Sequence, residues 1–395
     1  MTALAAGAVK LGARATARAA GFRVELVRDW RQVSARCDNV RALTPFQNRR
    51  WFDAWYQAFA DFHDMEPVIA IVSDAVTSEL AAVFPLLRRV RRGIRIVEFA
   101  DHNLTDYNAP LLHAAAPRDA ACVRLLWRDL LAALKRLPGG TDLVRFRKMP
   151  FELDGITNPL TLLDGARRSW LNGNVVTIAG DFDAYRYSLE RTVRKELERS
   201  WRVFARSPDA SFRIVTEPNE ALRVLLAMET QQDARMRYLG LKFMLNDDTC
   251  AAFYRSLVSK NLGSGYVVLS ALTVGEEVIA TLLGIRSGSN YVMVRISNAG
   301  DKWSNCSPGR LIIERTMAAL HQDGVRHFDF SIGNYAYKRR FGVEPLALAE
   351  ITAALSWRGL PFALRDRAAH ELHRHPRLAA HVARALGKSY SREEN

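Results

Sequence analysis

Residues 328–342 read FDFSIGNYAYKRRFG. Phe328, Phe330 and Ile332 alternate with Asp329 and Ser331, the period of a short strand with one apolar face. Gly333 stops the strand, and a helical turn carrying Tyr337 and Lys338 follows. Upstream lies SPGRLIIERTMAAL, residues 307–320, which reads as a turn that opens a helix. Ser307 is placed to cap that helix, and Pro308 suits its first turn. Gly309 leaves backbone N–H groups open to close approach, and Arg310 adds charge. Turn, helix, strand, glycine, Tyr-Lys: that order puts a site at the open end of a sheet, beside a helix start that attracts anions.

Outward from this stretch, the second half reads as helices over 185–206, 221–237 and 247–260. A strand meander over 266–273, 278–285 and 291–297 follows, then a helix over 311–322 and a strand over 327–332. The first half shows the same order. Trp51, Trp55 and Phe59 lie at helical spacing in 49–62. Strand-like runs cover 67–72, 80–87 and 94–99, with a basic turn at 88–92. A polar loop (101–108), a helix (119–137) and a strand (143–147) complete it. The fold class expected is therefore α+β, one unit present twice, each a mixed, mostly antiparallel sheet flanked by helices. The division is 1–21, a basic N-terminal extension; 22–170 and 171–355, the two units; and 356–395, a basic helical tail.

The composition, 49% hydrophobic in 395 residues, is that of a globular chain with a large core. Four scattered cysteines form no CxxC pair, so neither a disulfide framework nor a zinc spacing is present in the sequence, and a reducing compartment is expected. The nine histidines include no HExxH, and no metal is expected. His370, His373, His375 and His381 read as solvated surface. The net charge of +14 favours an anionic partner: a phosphate-bearing cofactor, nucleic acid or an acidic membrane surface. No apolar run is long enough to span a bilayer. Lys10, Arg14, Arg18 and Arg23, without an acid among the first 24 residues, read as a frayed extension in preference to a transit-like or membrane-surface segment.

Three further segments can carry chemistry. In 185–206, Val193, Leu197, Trp201 and Phe204 share one helical face, while Arg191, Lys195, Arg199 and Arg202 share the opposite one: a solvated face, or a ridge for phosphates. Asp329, half-buried if the sheet is covered on both faces, is a candidate base or a structural ion-pair partner. The triplet Asp106-Tyr107-Asn108 either makes its turn or holds an acceptor.

The combination of SPG-x-L, helix, FDF-x-x-G and YK-x-x-FG resembles the CelD-type acetyltransferases, a branch of the GNAT superfamily linked to cellulose and other exopolysaccharide synthesis. TPFQNRRWFDAWYQAF (residues 44–59) and the stretch 84–112 are similar to that family as well. The resemblance covers about residues 22–355. It implies tandem GNAT domains, a fold shared with Fem-type aminoacyl-tRNA-dependent transferases. It implies transfer of an acyl group, acetyl in the first instance, from acyl-CoA without a metal. The donor's pyrophosphate would rest on Ser307, Gly309, Arg310 and Leu311. Its pantetheine arm would run between strands 291–297 and 327–332. Asp329, Tyr337 and Lys338 would be catalytic, and Asp106, Tyr107, Asn108 and Arg237 would meet the acceptor, a small molecule or a glycan- or lipid-linked intermediate. The implied place is the cytoplasm, at the periphery of the inner membrane or of a synthase complex. The family carries Gly-Asp-Glu before Tyr-Lys where this chain has Gly333-Asn334-Tyr335. The missing acidic pair shifts the base to Asp329, Tyr337 or the substrate. The rival readings are a Fem-like enzyme using aminoacyl-tRNA and a catalytically reduced GNAT scaffold.

Overall fold

A computed structural model describes residues 21–374, apart from Asn39, Ala42, Asp61, His63 and Asn334. The N-terminal arm over 1–20 and the tail over 375–395, with His375 and His381, lie outside the described residues, as does Asn334.

The elements in chain order are β1 (Phe22–Val27), α1 (Arg49–Phe59), β2 (Met65–Asp74), β3 (Leu80–Arg91), β4 (Ile94–Phe99), β5 (Leu111–Leu112), α2 (Ala120–Lys135), β6 (Leu143–Pro150), β7 (Glu152–Leu153), β8 (Ile156–Thr157) and β9 (Arg167–Thr177). Then come α3 (Phe182–Ser188), α4 (Arg191–Phe204), β10 (Ala210–Ile214), α5 (Pro218–Tyr238), α6 (Asp248–Asn261), β11 (Val267–Val274), β12 (Glu277–Ser287), β13 (Asn290–Asn298), α7 (Pro308–Gln322), β14 (His327–Asp329), α8 (Ala336–Arg339), β15 (Glu344–Ala354) and α9 (Leu360–Arg374). One sheet runs through the molecule in the order β1-β2-β3-β4-β6-β15-β9-β14-β13-β12-β11-β10, with β5 on β3. Each half contributes an antiparallel meander, then a helix (α2 or α7), then a parallel partner: β6 beside β4, and β14 beside β13.

The halves exchange their last strands. β9 leaves the first half and pairs with β14, while β15 returns from the second half and pairs with β6; β9 and β15 then pair with each other. Residue 170, where the sequence was divided, falls inside β9. Neither strand was expected. In β9 the run RRSWLNGNVVT breaks its alternation with Asn172 and Gly173. The run EPLALAEITAA of β15 is rich in helix formers, and only pairing on both edges makes it a strand.

Local chemistry explains most of the rest. Asn48 caps α1 by accepting the Arg50 N–H at 2.9 Å. Trp51, Trp55 and Phe59 of that helix are buried in a core shared with α5 and α6, and Trp51 meets Phe253 edge-on at 5.0 Å. Truncating any of these aromatics to alanine should cost about 3–5 kcal/mol. A second core packs α2 under β1–β3, and a third packs α4 and α7 under β12 and β13. The basic turn is shorter than expected: β3 continues to Arg91, with Arg88 on Glu66 (2.5 Å) and Arg89 on Glu98 (2.7 Å), and Arg92-Gly93 makes the hairpin with φ 52° and 76°. The helix expected over 185–206 is two, because Leu189 and Glu190 are extended (ψ 154° and 137°). His370 is not solvated surface: its ring nitrogen faces Glu350 at 3.5 Å with a tenth of the side chain exposed. Among the described residues no helix is long and apolar enough to cross a membrane.

Candidate active site

The parallel pair β13–β14 is short. It covers Asn290–Val292 against His327–Asp329, after which β13 runs on beside β12 alone. The β12–β13 ladder slips between Leu283 and Gly284, which leaves Val294 without a partner across the ladder. On the other side the strand expected to reach residue 332 ends at Asp329, because Ser331 takes φ 67° and Gly333 φ 101°. The side-chain alternation ends there too: Phe328 and Phe330 enter the core under α7, whereas Ile332 packs on the core under α1. Asn174 of β9 holds this turn. Its Nδ2 donates to the carbonyls of Ser331 (2.8 Å) and Gly333 (2.9 Å), and its own carbonyl accepts the Phe330 N–H (2.8 Å). The two strands are thus splayed beyond Val292 and Asp329.

Asp329 sits at the mouth of the splay with 6% of its surface exposed. Its Oδ1 accepts the Tyr107 hydroxyl at 2.8 Å and the Ser331 N–H at 2.6 Å; its Oδ2 has no hydrogen bond among the described residues. Burial lifts this carboxyl to about 7, against the pull of the Tyr107 and Ser331 donors and of Lys338. The Ser331 hydroxyl donates to Asp106, whose carboxyl burial also raises. Lys338, on α8, is 2% exposed, and its ammonium donates to the carbonyls of Ser331 (3.2 Å) and Ile332 (2.7 Å). Burial lowers it to about 8, with Asp106 and Asp329 opposing. Around the Ser331 turn, two carboxyls pushed up (Asp106 and Asp329) thus face one ammonium pushed down (Lys338), the kind of environment in which acid–base groups are tuned.

The Asp106 loop is fixed from beneath. The Tyr107 carbonyl accepts from Gln47 Nε2 (2.8 Å), Trp51 Nε1 donates to Thr105 (3.1 Å), and Lys148 bridges Asp101 (2.9 Å) and the Thr105 carbonyl (2.9 Å). Tyr107 reaches Asp329 only because residue 173 is glycine: a Cβ there would lie 2.0 Å from the Tyr107 hydroxyl. Asn108 turns away, and its Nδ2 donates to Asp101 (3.0 Å) and the Arg147 carbonyl (3.1 Å). Arg237, in the last turn of α5, is exposed and pairs with Asp233. Tyr337 stacks on the exposed Tyr335 at 6.1 Å, and burial raises its hydroxyl to about 12.

The helix start at Ser307 is built differently from the expectation. Ser307 has φ 45° and makes no side-chain cap; its Oγ instead accepts from Arg310 (2.9 Å). Arg310 also donates to Glu196 of α4 (2.7 Å), which binds Arg340 as well (2.9 Å). The two guanidiniums outweigh burial and hold the Glu196 carboxyl below its usual range. Leu311 is buried under the helix, and Gly309 stands where a Cβ would meet Asn298 at 3.2 Å. The corner therefore presents a helix N-terminus flanked by two arginines that share one carboxylate.

Of the residues expected from sequence, Asp106, Tyr107, Asp329 and Lys338 converge, while Tyr337 packs on the core under α7 and Asn108 and Arg237 stand apart from that cluster. Asn174, Ser331, Glu196 and Arg340 were not anticipated; nor was Arg295. That arginine is 7% exposed, bonded to Gln232 (3.1 and 2.5 Å), stacked 4.6 Å over the Tyr254 ring, and left with one buried nitrogen unpartnered. Ser331 and Arg340 lay inside the motif stretch, at its unspecified positions, and nothing local marked the others.

Residues 191–339 match the family model described as an acetyltransferase (GNAT) domain. No curated protein sequence matches the chain. Among solved structures, the chain is similar to FemX, with a TM-score of 0.58 at 10% identity over 86% of this chain and 98% of that one. It is similar to a conserved protein of unknown function from Bacteroides thetaiotaomicron, at TM-score 0.52 and 9% identity over 85% and 100%. The C-terminal domain of a putative lysylphosphatidylglycerol synthetase from Agrobacterium fabrum is similar too, at TM-score 0.50 and 13% identity over 86% and 97%. Residues 191–339 are thus similar to an acetyltransferase (GNAT) domain, and they belong to a mixed, mostly antiparallel sheet flanked by helices.

Proposed function

We propose that this chain is a GNAT-type acyltransferase of the CelD kind, moving an acyl group, in the first instance acetyl, from acyl-CoA to an amine or hydroxyl of a sugar-, lipid- or polysaccharide-related acceptor. The observation that carries the reading is the buried Asp329, lifted to about 7 at the point where β13 and β14 part. The donor's phosphates would lie on the N-terminus of α7 between Arg310 and Arg340, displacing Glu196, and its arm would enter the splay. Asp329 would take the acceptor's proton as the acceptor attacks the thioester carbonyl. The carbonyl π electrons move to oxygen, and a backbone N–H, with Val294 the candidate, would stabilise that oxyanion. Collapse expels the CoA thiolate, which Tyr337 would protonate. Lys338 keeps positive charge beside both carboxyls.

A lipid-borne acceptor is supported by the end of α5 and the segment after it, where Tyr238, Leu239, Leu241 and Met244 are exposed next to Arg237 and Lys242. The test is thiol release from acetyl-CoA with a panel of amino-sugars, sugar-lipids and amines. Turnover with at least one of them supports the reading, and a panel without turnover, together with no acyl-CoA binding, sinks it. The basic face of α4, with Arg191, Lys195, Arg199 and Arg202 all exposed, favours the second reading, an aminoacyl-tRNA donor. A salt-sensitive mobility shift with bulk tRNA would select it, and no shift at low salt would dismiss it.

A further inference from the structure

We propose that His102, Asp247 and Cys250 form a binding site for a divalent cation of the zinc type, one that ties the Asp101–Asn108 loop to the start of α6. A histidine nitrogen, a carboxylate oxygen and a cysteine sulfur lie within 4.8 Å of one another here. Around a tetrahedral ion the same donors would stand roughly 3.4–3.6 Å apart, given Zn–N and Zn–O near 2.1 Å and Zn–S near 2.3 Å. The three therefore need to close by about an ångström, which side-chain rotation supplies. The mixed N, O, S set suits zinc rather than magnesium or calcium, which take oxygen donors.

The local structure points the same way. Asp247 and Cys250 are one helical turn apart at the N-terminus of α6, where Asp247 also accepts the Thr249 N–H (2.9 Å). His102 comes from the other half, on a non-glycine backbone held at φ 47°. Its ring touches Phe59 (5.0 Å) and Phe62 (5.4 Å). Neither the His102 nitrogens nor the Cys250 sulfur makes a hydrogen bond among the described residues, although the thiol is 1% exposed. Arg89, the cation that acts on His102, is neutralised by Glu98 at 2.7 Å. His102 also lines a cleft of about 710 Å³ with Asp101 and Met244, which gives the ion a path in and room for water as a fourth ligand. Because the donors come from two distant segments, no ligand spacing marks them in the sequence. The ion would order the loop that bears Asp106 and Tyr107 against the helix that bears Tyr254.

The test is titration of chelator-treated protein with zinc by calorimetry and with cobalt(II) by absorption. One equivalent of zinc should bind and raise the melting temperature. Cobalt should give a thiolate charge-transfer band that Cys250→Ser abolishes and Cys37→Ser retains. His102→Ala should weaken zinc at least tenfold, and it decides the matter alone if the Cys250 variant does not fold. No saturable zinc binding by the wild-type chain, or stoichiometric binding unchanged in His102→Ala, would overturn the proposal. Neither outcome bears on acyl-CoA binding, which is measured separately.

Discussion

As the proposed base, Asp329 would trade stability for chemistry. A carboxyl lifted from 3.8 to about 7 binds its proton more tightly in the folded state than in the unfolded one. Its contribution is neutral below pH 4, becomes destabilising as pH rises to 7, and is constant above; the full cost is about 4 kcal/mol at 1.36 kcal/mol per unit. Asparagine at this position would keep an oxygen for both the Tyr107 and Ser331 donors and place its NH2 where Oδ2 has no partner. Asp329→Asn should therefore melt at the same or a higher temperature at pH 7.5, while kcat falls at least ~100-fold. A variant that keeps its activity refutes the base. Lys338 sets the other limb. With groups near 7 and 8, kcat/KM should rise through pH 7 and fall through pH 8. Lys338→Ala removes a cation facing Asp106 and Asp329, so their proton affinities rise and the acid limb should move to higher pH, a shift that a purely structural lysine would not produce. Unchanged limbs in that variant would leave Lys338 without a part in the chemistry and favour the scaffold reading.

At the scale of elements, the site depends on strand exchange. β9 brings Gly173 and Asn174 to the second half, one to admit Tyr107 and the other to fix the Ser331 turn. Gly173→Ala would force a Cβ onto the Tyr107 hydroxyl. The expected cost is about 1–3 kcal/mol in urea unfolding, with a loss of kcat larger than the lost stability explains. Equal stability and rate in this variant would show that the Tyr107–Asp329 bond is dispensable. The motifs that could be read locally, SPGRL and FDFSIGNYAYK, led to α7, β14 and Lys338, and the helices of both halves were legible from their apolar periods. β9 and β15 were not. Asn172-Gly173 hides one and helix-forming residues hide the other, and both are strands because of partners far along the chain. The turn after Asp329 was misread for a related reason. Ser331 occupies a left-handed conformation that serine seldom adopts, and the bonds from Asp106 and Asn174 that hold it come from the other side of the exchange.

Over the whole molecule, the two halves form one sheet with the candidate site at their seam: Asp106 and Tyr107 from the first, Asp329 and Lys338 from the second. On the proposed reading the positive charge is used where α7 begins, since among the described residues Arg310 and Arg340 have Glu196 as their shared carboxylate. An incoming diphosphate offers both arginines a stronger partner than one carboxylate does. Glu196→Gln should accordingly bind acyl-CoA more tightly than the natural chain. The decisive measurement is calorimetric titration of the protein with acetyl-CoA, wild type beside Arg310→Ala and Arg340→Ala. The account requires one equivalent bound by the wild type, weakened about tenfold or more in each arginine variant. No binding at ~1 mM ligand, or binding that neither substitution changes, would contradict it.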